Sequence, residues 1–317
     1  DFTRPRTMKS VVSLPLVVGI LALAAVTGSP GDHQLALPLV EIHASTPREF
    51  GRRMGAAAKT LIARRFAQCE ELHDLLRAVH TSAEGKAVYG AFFRNASAAF
   101  PQYMEEIRGI AEGAGRTVEE IFVMNMREEL GYFVPLGAHS SGAPPPPGDD
   151  WEQCSDYMIK DASYAAGMHN EDSGVEDLNT TFFLHAHLSY SAPDFPEEHF
   201  APSRPGSAPR SPRATLRGAP WTGPPREFFA YVYSGDLPSG AFGWTPSSGL
   251  AFSLNYVRPS EGVLGGYGRG FLSRGLLDAR DLDEAMDLIT SWGQAGGHNY
   301  QLFDYVQRRG LNVEAAN

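Results

Sequence analysis

One of the two cysteines lies where a thiol could act as a nucleophile. Cys154 follows the stretch 140–150, which contains four consecutive prolines, and precedes residues with the pattern of a strand. Proline lacks the amide donor that helices and interior strands need, so this stretch predicts a linker. If the chain is cut after Gln153, Cys154 gains an α-amine with a pKa of about 7.7 to 8.0, which can take the thiol proton. A buried structural cysteine is the alternative.

Polar residues further along the chain are candidates to support this thiol. The run 167–172, G-M-H-N-E-D, follows Cys154 closely enough for a short hairpin to return it beside the sulfur. A carboxylate of that run could hold the new terminal amine. In the expected strand G-L-A-F-S-L-N-Y-V, period-two alternation puts Asn255 on a face of otherwise small side chains. Its amide could donate to the oxyanion of a tetrahedral intermediate, and an exposed or capping asparagine is the alternative.

Metal chemistry has one weak signal. His185 and His187 would share one face of a strand, as a zinc site requires, but the sequence shows no obvious third or fourth ligand. We therefore expect paired core or surface histidines and no metal or cofactor, with a metallo-amidohydrolase as the alternative. The absence of G-x-S-x-G and H-E-x-x-H motifs argues against a serine α/β-hydrolase and a zinc protease.

Composition and charge bound the class of protein. The 317 residues are 43% hydrophobic and 20% charged, which suits a globular chain of one large domain or two. The formal charge is -10, and no cluster of basic residues is interleaved with aromatic ones. Both observations argue against a nucleic-acid partner.

The N-terminal segment has the pattern of a secretory signal peptide. Residues 1–7 precede Met8 and Lys9, and the apolar run 11–26 is shorter than the roughly 20 residues of a membrane span. We expect cleavage near Gly28, a secreted or luminal protein and no stable membrane span, with an uncleaved signal anchor as the alternative.

Secretion would permit both disulfide formation and N-glycosylation. In an oxidising compartment, Cys69 and Cys154 could form a disulfide, although Cys69 also fits a packed core position at the end of a helix. Asn95 and Asn179 begin sequons that are compatible with a glycoprotein.

Hydrophobic periodicity predicts a chain that contains both helices and strands. Helices are expected from a capping box at Thr46, over 101–112, from a capping box at Thr117 and after Asp281; strands are expected over 35–44, 180–190, 227–233 and 248–257 and from His298. The segment 191–226 is rich in Pro, Ser, Gly and Arg and predicts a surface insertion.

Separated blocks of sequence, in a fixed order, resemble a known family. They are V-E-I-H-A-S near Leu39, F-P-Q-Y-M-E-E-I-R-G-I-A-E-G-A-G, N-M-R-E-E at Asn125, C-S-D at Cys154, H-N-E-D at His169, G-L-A-F-S-L-N at Gly249 and G-H-N-Y-Q-L-F-D at Gly297. Together they resemble the N-terminal-nucleophile (Ntn) cysteine hydrolases of the acyl-CoA:isopenicillin N acyltransferase and β-alanyl-dopamine (carcinine) hydrolase type.

The resemblance implies a four-layer αββα sandwich and a precursor that cuts itself. An α chain within 29–153 would end at Gln153, and a β chain within 154–317 would begin with the nucleophile Cys154. Asp172 would orient the amine and support processing, and Asn255 would hold the oxyanion. The implied substrate is a small N-acyl amine, with acyl-CoA as a possible partner.

Three features depart from the family pattern. Gln153 stands where glycine precedes the nucleophile, and His169 stands where Arg or Gly precedes the asparagine. The family also continues beyond the point where this sequence stops, so we expect a C-terminal portion to be missing. An unprocessed family member that serves as a luminal binding protein is therefore the non-enzymatic alternative.

Overall fold

The computed structural model describes residues 37–134, 154–161, 164–192, 225–257, 262–290 and 293–315. The predicted signal peptide, the linker 140–150, Gln153 and most of the insertion 191–226 lie outside the described residues. Among the described residues, no helix has the length and apolar character needed to cross a membrane.

The described chain is helical in its first part and mostly strand afterwards. The first part contains β1 Leu39–Ala44, α1 Pro47–Ala57, α2 Lys59–Gln68, α3 Glu70–Thr81, α4 Ala83–Ala99, α5 Pro101–Ala114, α6 Val118–Asn125 and α7 Arg127–Phe133. The second contains β2 Ser155–Lys160, β3 Ala165–Asn170, β4 Thr181–Leu188, β5 Arg226–Tyr233, β6 Phe242–Thr245, β7 Leu250–Val257, α8 Arg269–Leu276, α9 Leu282–Ile289, β8 Gly297–Asp304 and β9 Arg309–Ala315. This confirms the predicted α+β class.

A seven-stranded sheet forms the centre of the fold. Its order is β1-β4-β5-β6-β7-β8-β9, with β1 parallel to β4 and the other neighbours antiparallel. Alternate residues of β4, such as Phe182 and Leu184, are buried in one core with residues of the helices. The β2–β3 hairpin is a separate sheet whose Asp156 reaches β7, on the face away from the helices. The described residues thus form helix, sheet and hairpin layers, and a fourth layer is not established.

Local capping signals explain where several helices begin. Thr46 and Asp281 each accept a hydrogen bond from the backbone N–H three residues later, and Thr117 and Glu120 form a reciprocal capping box. The helix that begins after Thr117 ends at Asn125. The side-chain amide of Asn125 donates to Gly235 O and accepts from Leu237 N of a distant loop.

Two sequence expectations need correction. Cys69 and Cys154 are free thiols, so the possible disulfide between them is not formed, and Cys69 is buried as the core alternative predicted. The predicted insertion 191–226 also extends one residue too far, since Arg226 is the first residue of β5 and its guanidinium pairs with buried Asp278.

Glycines allow α1 and α5 to approach each other at backbone distance. Gly51 and Gly55 on α1 face Gly109 and Gly113 on α5, four residues apart on each helix. A Cβ at Gly109 would overlap the Arg48 carbonyl oxygen, and a Cβ at Gly51 would overlap that of Glu106. The close approach of α1 and α5 therefore depends on glycine, which has no side chain, at these four positions.

We predict that Gly109→Ala destabilises the fold although alanine is the better helix former. Overpacking against a backbone that cannot move aside costs about 1–3 kcal/mol or more, and the propensity gain offsets only about 1 kcal/mol. The matched control is Gly90→Ala on α4, whose Cβ would meet only the end of the flexible Arg94 side chain. Denaturant unfolding should show a loss for Gly109→Ala and no loss for Gly90→Ala; equal effects would contradict the close-approach argument.

Candidate active site

The β2–β3 hairpin confirms the predicted return of the chain beside Cys154. Its register opposes Ser155 to Asn170 and Asp156 to His169. Opposed residues, and residues two apart on one strand, share a face. This register therefore puts Cys154, Asp156, His169 and Glu171 on one face of the hairpin.

The sulfur of Cys154 is held between a carboxylate and a backbone amide. The thiol has two hydrogen-bond acceptors within reach, Glu171 Oε2 at 3.3 Å and the Asp172 carbonyl oxygen at 3.7 Å. In return, the Asp172 N–H donates to the sulfur at 3.4 Å. The thiol proton thus has an acceptor within reach, and a backbone N–H points at the sulfur.

Asp172, which the resemblance assigns to the terminal amine, contributes its backbone to the described site. Its exposed carboxylate accepts a hydrogen bond from Asn170 Nδ2 at 2.9 Å. The carboxylate that meets the sulfur is that of its neighbour Glu171. The role of Asp172 in orienting the amine stays a prediction.

Asn255 reaches the site through Asp156. On β7, Asn255 Nδ2 donates to Asp156 Oδ2 at 2.7 Å, and Ser253 Oγ donates to Asp156 Oδ1 at 2.5 Å. The buried Asn255 Oδ1 has no hydrogen-bond partner in the described parts of the chain. Asp156 thereby joins the strand behind Cys154 to the strand that carries the expected oxyanion donor.

His169 is an imidazolium ion fixed between two carboxylates. Its Nδ1 lies 2.9 Å from Asp156 Oδ1 and its Nε2 lies 2.6 Å from Glu171 Oε2. Burial disfavours the charged ring, but hydrogen bonds with Asp156, Cys154 and Glu171 outweigh it and raise the pKa of His169 to about 11. Burial likewise opposes ionisation of Asp156, but the bonds from His169, Ser253 and Asn255 hold its pKa below the usual value.

Tyr233 closes the site from β5. Its hydroxyl donates to Glu171 Oε1, and burial together with the Glu171 charge raises the pKa of Tyr233 well above its usual value. The hydroxyl therefore remains a donor at neutral pH. Cys154, His169 and Tyr233 all point hydrogen-bond donors at the single carboxylate of Glu171.

Four residues of this site had no assigned role at the level of sequence: Asp156, Glu171, Tyr233 and Ser253. A signal existed for two of them, because Asp156 lies two residues after Cys154, and Glu171 follows His169 by two, so alternation places each pair on one face. Tyr233 and Ser253 come from strands far away in sequence, and no local pattern marks them.

Three groups of side chains could hold a metal ion among the described residues. They are Cys154, His169 and Glu171; His185, His187 and Glu227; and Glu41, His43 and His187. The first consists of the candidate catalytic residues themselves. In the second, Glu227 of β5 supplies the third ligand that the sequence did not reveal for His185 and His187.

The fold is α+β, and the candidate thiol Cys154 directly precedes β2, in a hairpin that packs against the seven-stranded sheet. The family model for Acyl-coenzyme A:6-aminopenicillanic acid acyl-transferase matches residues 160–316, a range that contains His169, Glu171 and Asn255 and begins after Cys154. Residues 160–316 are thus similar to this family, which confirms the resemblance.

A curated relative extends the similarity to the N-terminal half. The Beta-alanyl-dopamine/carcinine hydrolase of Drosophila melanogaster is 24% identical over 282 residues, which cover 86% of this chain. The aligned region spans 63% of that relative's length, less than two thirds of it. The family and this relative together concern amide hydrolysis and acyl transfer.

We predict that His169 makes stability depend on pH in the alkaline range. Its pKa is raised from about 6.5 in the unfolded chain to about 11, so its contribution is complete below pH 6.5 and is lost as the pH rises towards 11. The loss should not exceed about 1.4 kcal/mol per pH unit.

Urea unfolding of the parent protein and of His169→Gln at pH 6, 8 and 10 tests this prediction. The difference in unfolding free energy between the two proteins should shrink as the pH rises. A difference that stays constant over this range would show that His169 is not held as the cation.

Proposed function

We propose that this protein is an Ntn-type cysteine amidohydrolase that uses Cys154 as nucleophile and cleaves a small N-acyl amine. The observation that carries the proposal is the convergence on Cys154 Sγ of a carboxylate acceptor and an amide donor, on a hairpin docked against Asn255. The family match and the named hydrolase relative support the reaction class. By analogy with that relative, a β-alanyl amine is the model substrate.

Self-cleavage comes first in the proposed sequence. In the precursor, Cys154 has no free amine, and Glu171 Oε2, at 3.3 Å from the sulfur, is the base within reach. Attack of the thiolate on the Gln153 carbonyl carbon breaks the peptide C–N bond and forms a thioester. Cleavage of the C–N bond, with the proton returned from Glu171, frees the α-amine of Cys154. Water then hydrolyses the thioester, which frees the Gln153 carboxylate and the Cys154 thiol.

Substrate turnover repeats the attack with the new amine as base. The thiol proton passes to the α-amine, the sulfur bonds to the substrate's carbonyl carbon, and the oxygen takes the negative charge. When the C–N bond breaks, the α-ammonium returns the proton to the departing amine. Water then adds to the thioester with proton loss to the α-amine, and the C–S bond breaks to release the acid and regenerate the thiol.

Asn255 is the proposed oxyanion donor. An amide nitrogen carries two N–H groups, and the bond to Asp156 uses one of them. That bond fixes the amide plane, so the second N–H has a set direction before substrate arrives. Preorganised donors of this kind stabilise the transition state without reorganisation during the reaction.

The route through the cell is part of the proposal. The signal-peptide pattern of 8–28 supports a secreted or luminal protein. Of the two sequons, Asn179 is exposed, whereas the Asn95 amide donates to Gly265 O on the folded protein. We therefore propose Asn179 as the glycosylated position.

We predict that Cys154→Ala abolishes both self-cleavage and hydrolysis. Intact-mass spectrometry and N-terminal sequencing of the parent should give two fragments, one that ends at Gln153 and one that begins at Cys154, and the variant should remain one chain. Cys69→Ala is the matched control, because Cys69 is the other free thiol and lies in the core. An uncut parent would reject the mechanism and favour the luminal binding protein.

We predict that Asn255→Ala lowers kcat about 100- to 1000-fold, as removal of one oxyanion donor does elsewhere. Asn299→Ala is the matched control, since Asn299 opposes Asn255 on the next strand but bonds Asn312 instead of Asp156. Steady-state kinetics on a β-alanyl amine should show a normal kcat for the control. A kcat within a few-fold of the parent for Asn255→Ala would reject the oxyanion role.

Acyl transfer from the same thioester is the second candidate function. The description of the matching family as an acyltransferase favours it. An amine acceptor, with the amide or acyl-CoA as donor, would then compete with water for the acyl group. The ratio of new amide to free acid at rising acceptor concentration distinguishes the two reactions.

A further inference from the structure

A second polar cluster lies on the same face of the sheet, at its β1 edge. The register pairs Glu41 with His185 across β1 and β4, and pairs His43 with His187. Across β4 and β5 it pairs His187 with Glu227. Three neighbouring strands therefore bring three imidazoles and two carboxylates to adjacent positions on one face.

The inner members of this cluster are already close to one another. His185 Nε2 lies 2.7 Å from Glu227 Oε1, and the rings of His185 and His187 are 4.1 Å apart at their centroids. One donor atom from each of His185, His187 and Glu227 lies within 4.8 Å of the other two. A tetrahedral zinc site has donors about 3.4 Å apart, which follows from metal–ligand bonds of about 2.1 Å, so small side-chain rotations would suffice.

One nitrogen of this cluster lacks a hydrogen-bond partner. His187 Nε2 is shielded from solvent, and no hydrogen bond to it is formed within the described part of the chain. Glu41 Oε1 lies 3.4 Å from His187 Nε2, which is within ion-pair distance, but the two atoms do not form a hydrogen bond. Buried polar atoms in proteins are satisfied in the great majority of cases, so this nitrogen points to a ligand.

We propose that His185, His187 and Glu227 bind a divalent transition-metal ion of the Zn²⁺ class. Two imidazole nitrogens and one carboxylate oxygen suit Zn²⁺, whereas Ca²⁺ and Mg²⁺ require oxygen ligands throughout. Aromatic stacking fixes both imidazole planes: Phe229 lies against His185 at 4.0 Å, and His43 lies against His187 at 4.3 Å.

The outer group of Glu41, His43 and His187 is the weaker candidate. The side chains of His43 and Glu41 are 65% and 59% exposed, whereas those of His185, His187 and Glu227 are 19%, 20% and 38% exposed. Exposed ligands are more mobile and better hydrated, so a metal gains less from them. Glu227 moreover lies on β5, whereas His185 and His187 lie on β4. An ion bound by these three residues would therefore connect β4 to β5.

The ion has a structural role, because it is remote from the thiol. Glu227 and Tyr233 are six residues apart on β5, a separation of about 20 Å at the usual rise per strand residue. Tyr233 contacts Glu171 beside Cys154, so the metal cluster lies near the other end of the strand. The proposal stands independently of the proposed function, and Cys154 chemistry does not require the ion.

Metal titration of untagged, chelator-treated protein tests the site. The Cys154→Ala protein serves as parent, which removes the thiol from the competing Cys154 group. Calorimetry with Zn²⁺, and the visible absorption of tetrahedral Co²⁺, should show one equivalent bound and a rise in Tm on Zn²⁺ addition. His185→Ala/His187→Ala and, independently, Glu227→Gln should lose this binding and the Tm rise, with apo-protein circular dichroism unchanged.

Two matched variants make the test specific. His80→Ala removes an exposed histidine of α3 that pairs with Glu119, and it should bind one equivalent like the parent. His43→Ala should also retain the equivalent. Three outcomes would overturn the proposal: no stoichiometric binding to the parent, binding that survives in His185→Ala/His187→Ala, or loss in His43→Ala with retention in Glu227→Gln, which would assign the ion to the outer group.

Discussion

The docking of the hairpin through Asp156 is the contact on which the candidate site depends. Its carboxylate accepts bonds from His169 on the hairpin and from Ser253 and Asn255 on β7. A buried carboxylate is costly unless it is paired and hydrogen-bonded, so the hairpin fits only where these donors converge. The position of Cys154, two residues before Asp156, follows from this docking.

The charge of His169 decides which group can act as a base. A histidine beside a cysteine usually suggests a base, but a ring whose pKa is about 11 already carries its proton at neutral pH. It therefore acts as a fixed cation between Asp156 and Glu171. In the proposed mechanism, the proton of Cys154 therefore goes to Glu171 in the precursor and to the α-amine in the cleaved protein.

Sequence predicted the local features of this chain better than the distant ones. The caps at Thr117 and Asp281 and the hairpin after Cys154 depend on short-range spacing, and the structure confirms them. Helices α3 and α4 were not predicted. The role of Asp172, which the resemblance implies, stays a prediction, and the contact of Glu171 with the sulfur depends on a hairpin register that the sequence alone did not reveal. Ser253 and Tyr233 join the site through hydrogen bonds to residues that are 97 and 62 positions away in the sequence. No local pattern predicts contacts at such separations.

Side chains alternate between the two faces of the sheet, so that one face packs against the helices and the other carries the polar side chains of both candidate sites. On β4, Phe182, Leu184 and Ala186 are buried in the core with the helices, whereas His185 and His187 lie on the other face. The same alternation on β7 buries Leu254 and presents Ser253 and Asn255 to the hairpin. Because a strand cannot shift by one residue without exchanging its two faces, the apolar core that fixes the register also fixes the positions of the polar side chains. The packing of the helical layer therefore helps to hold both the thiol site and the proposed metal cluster in position.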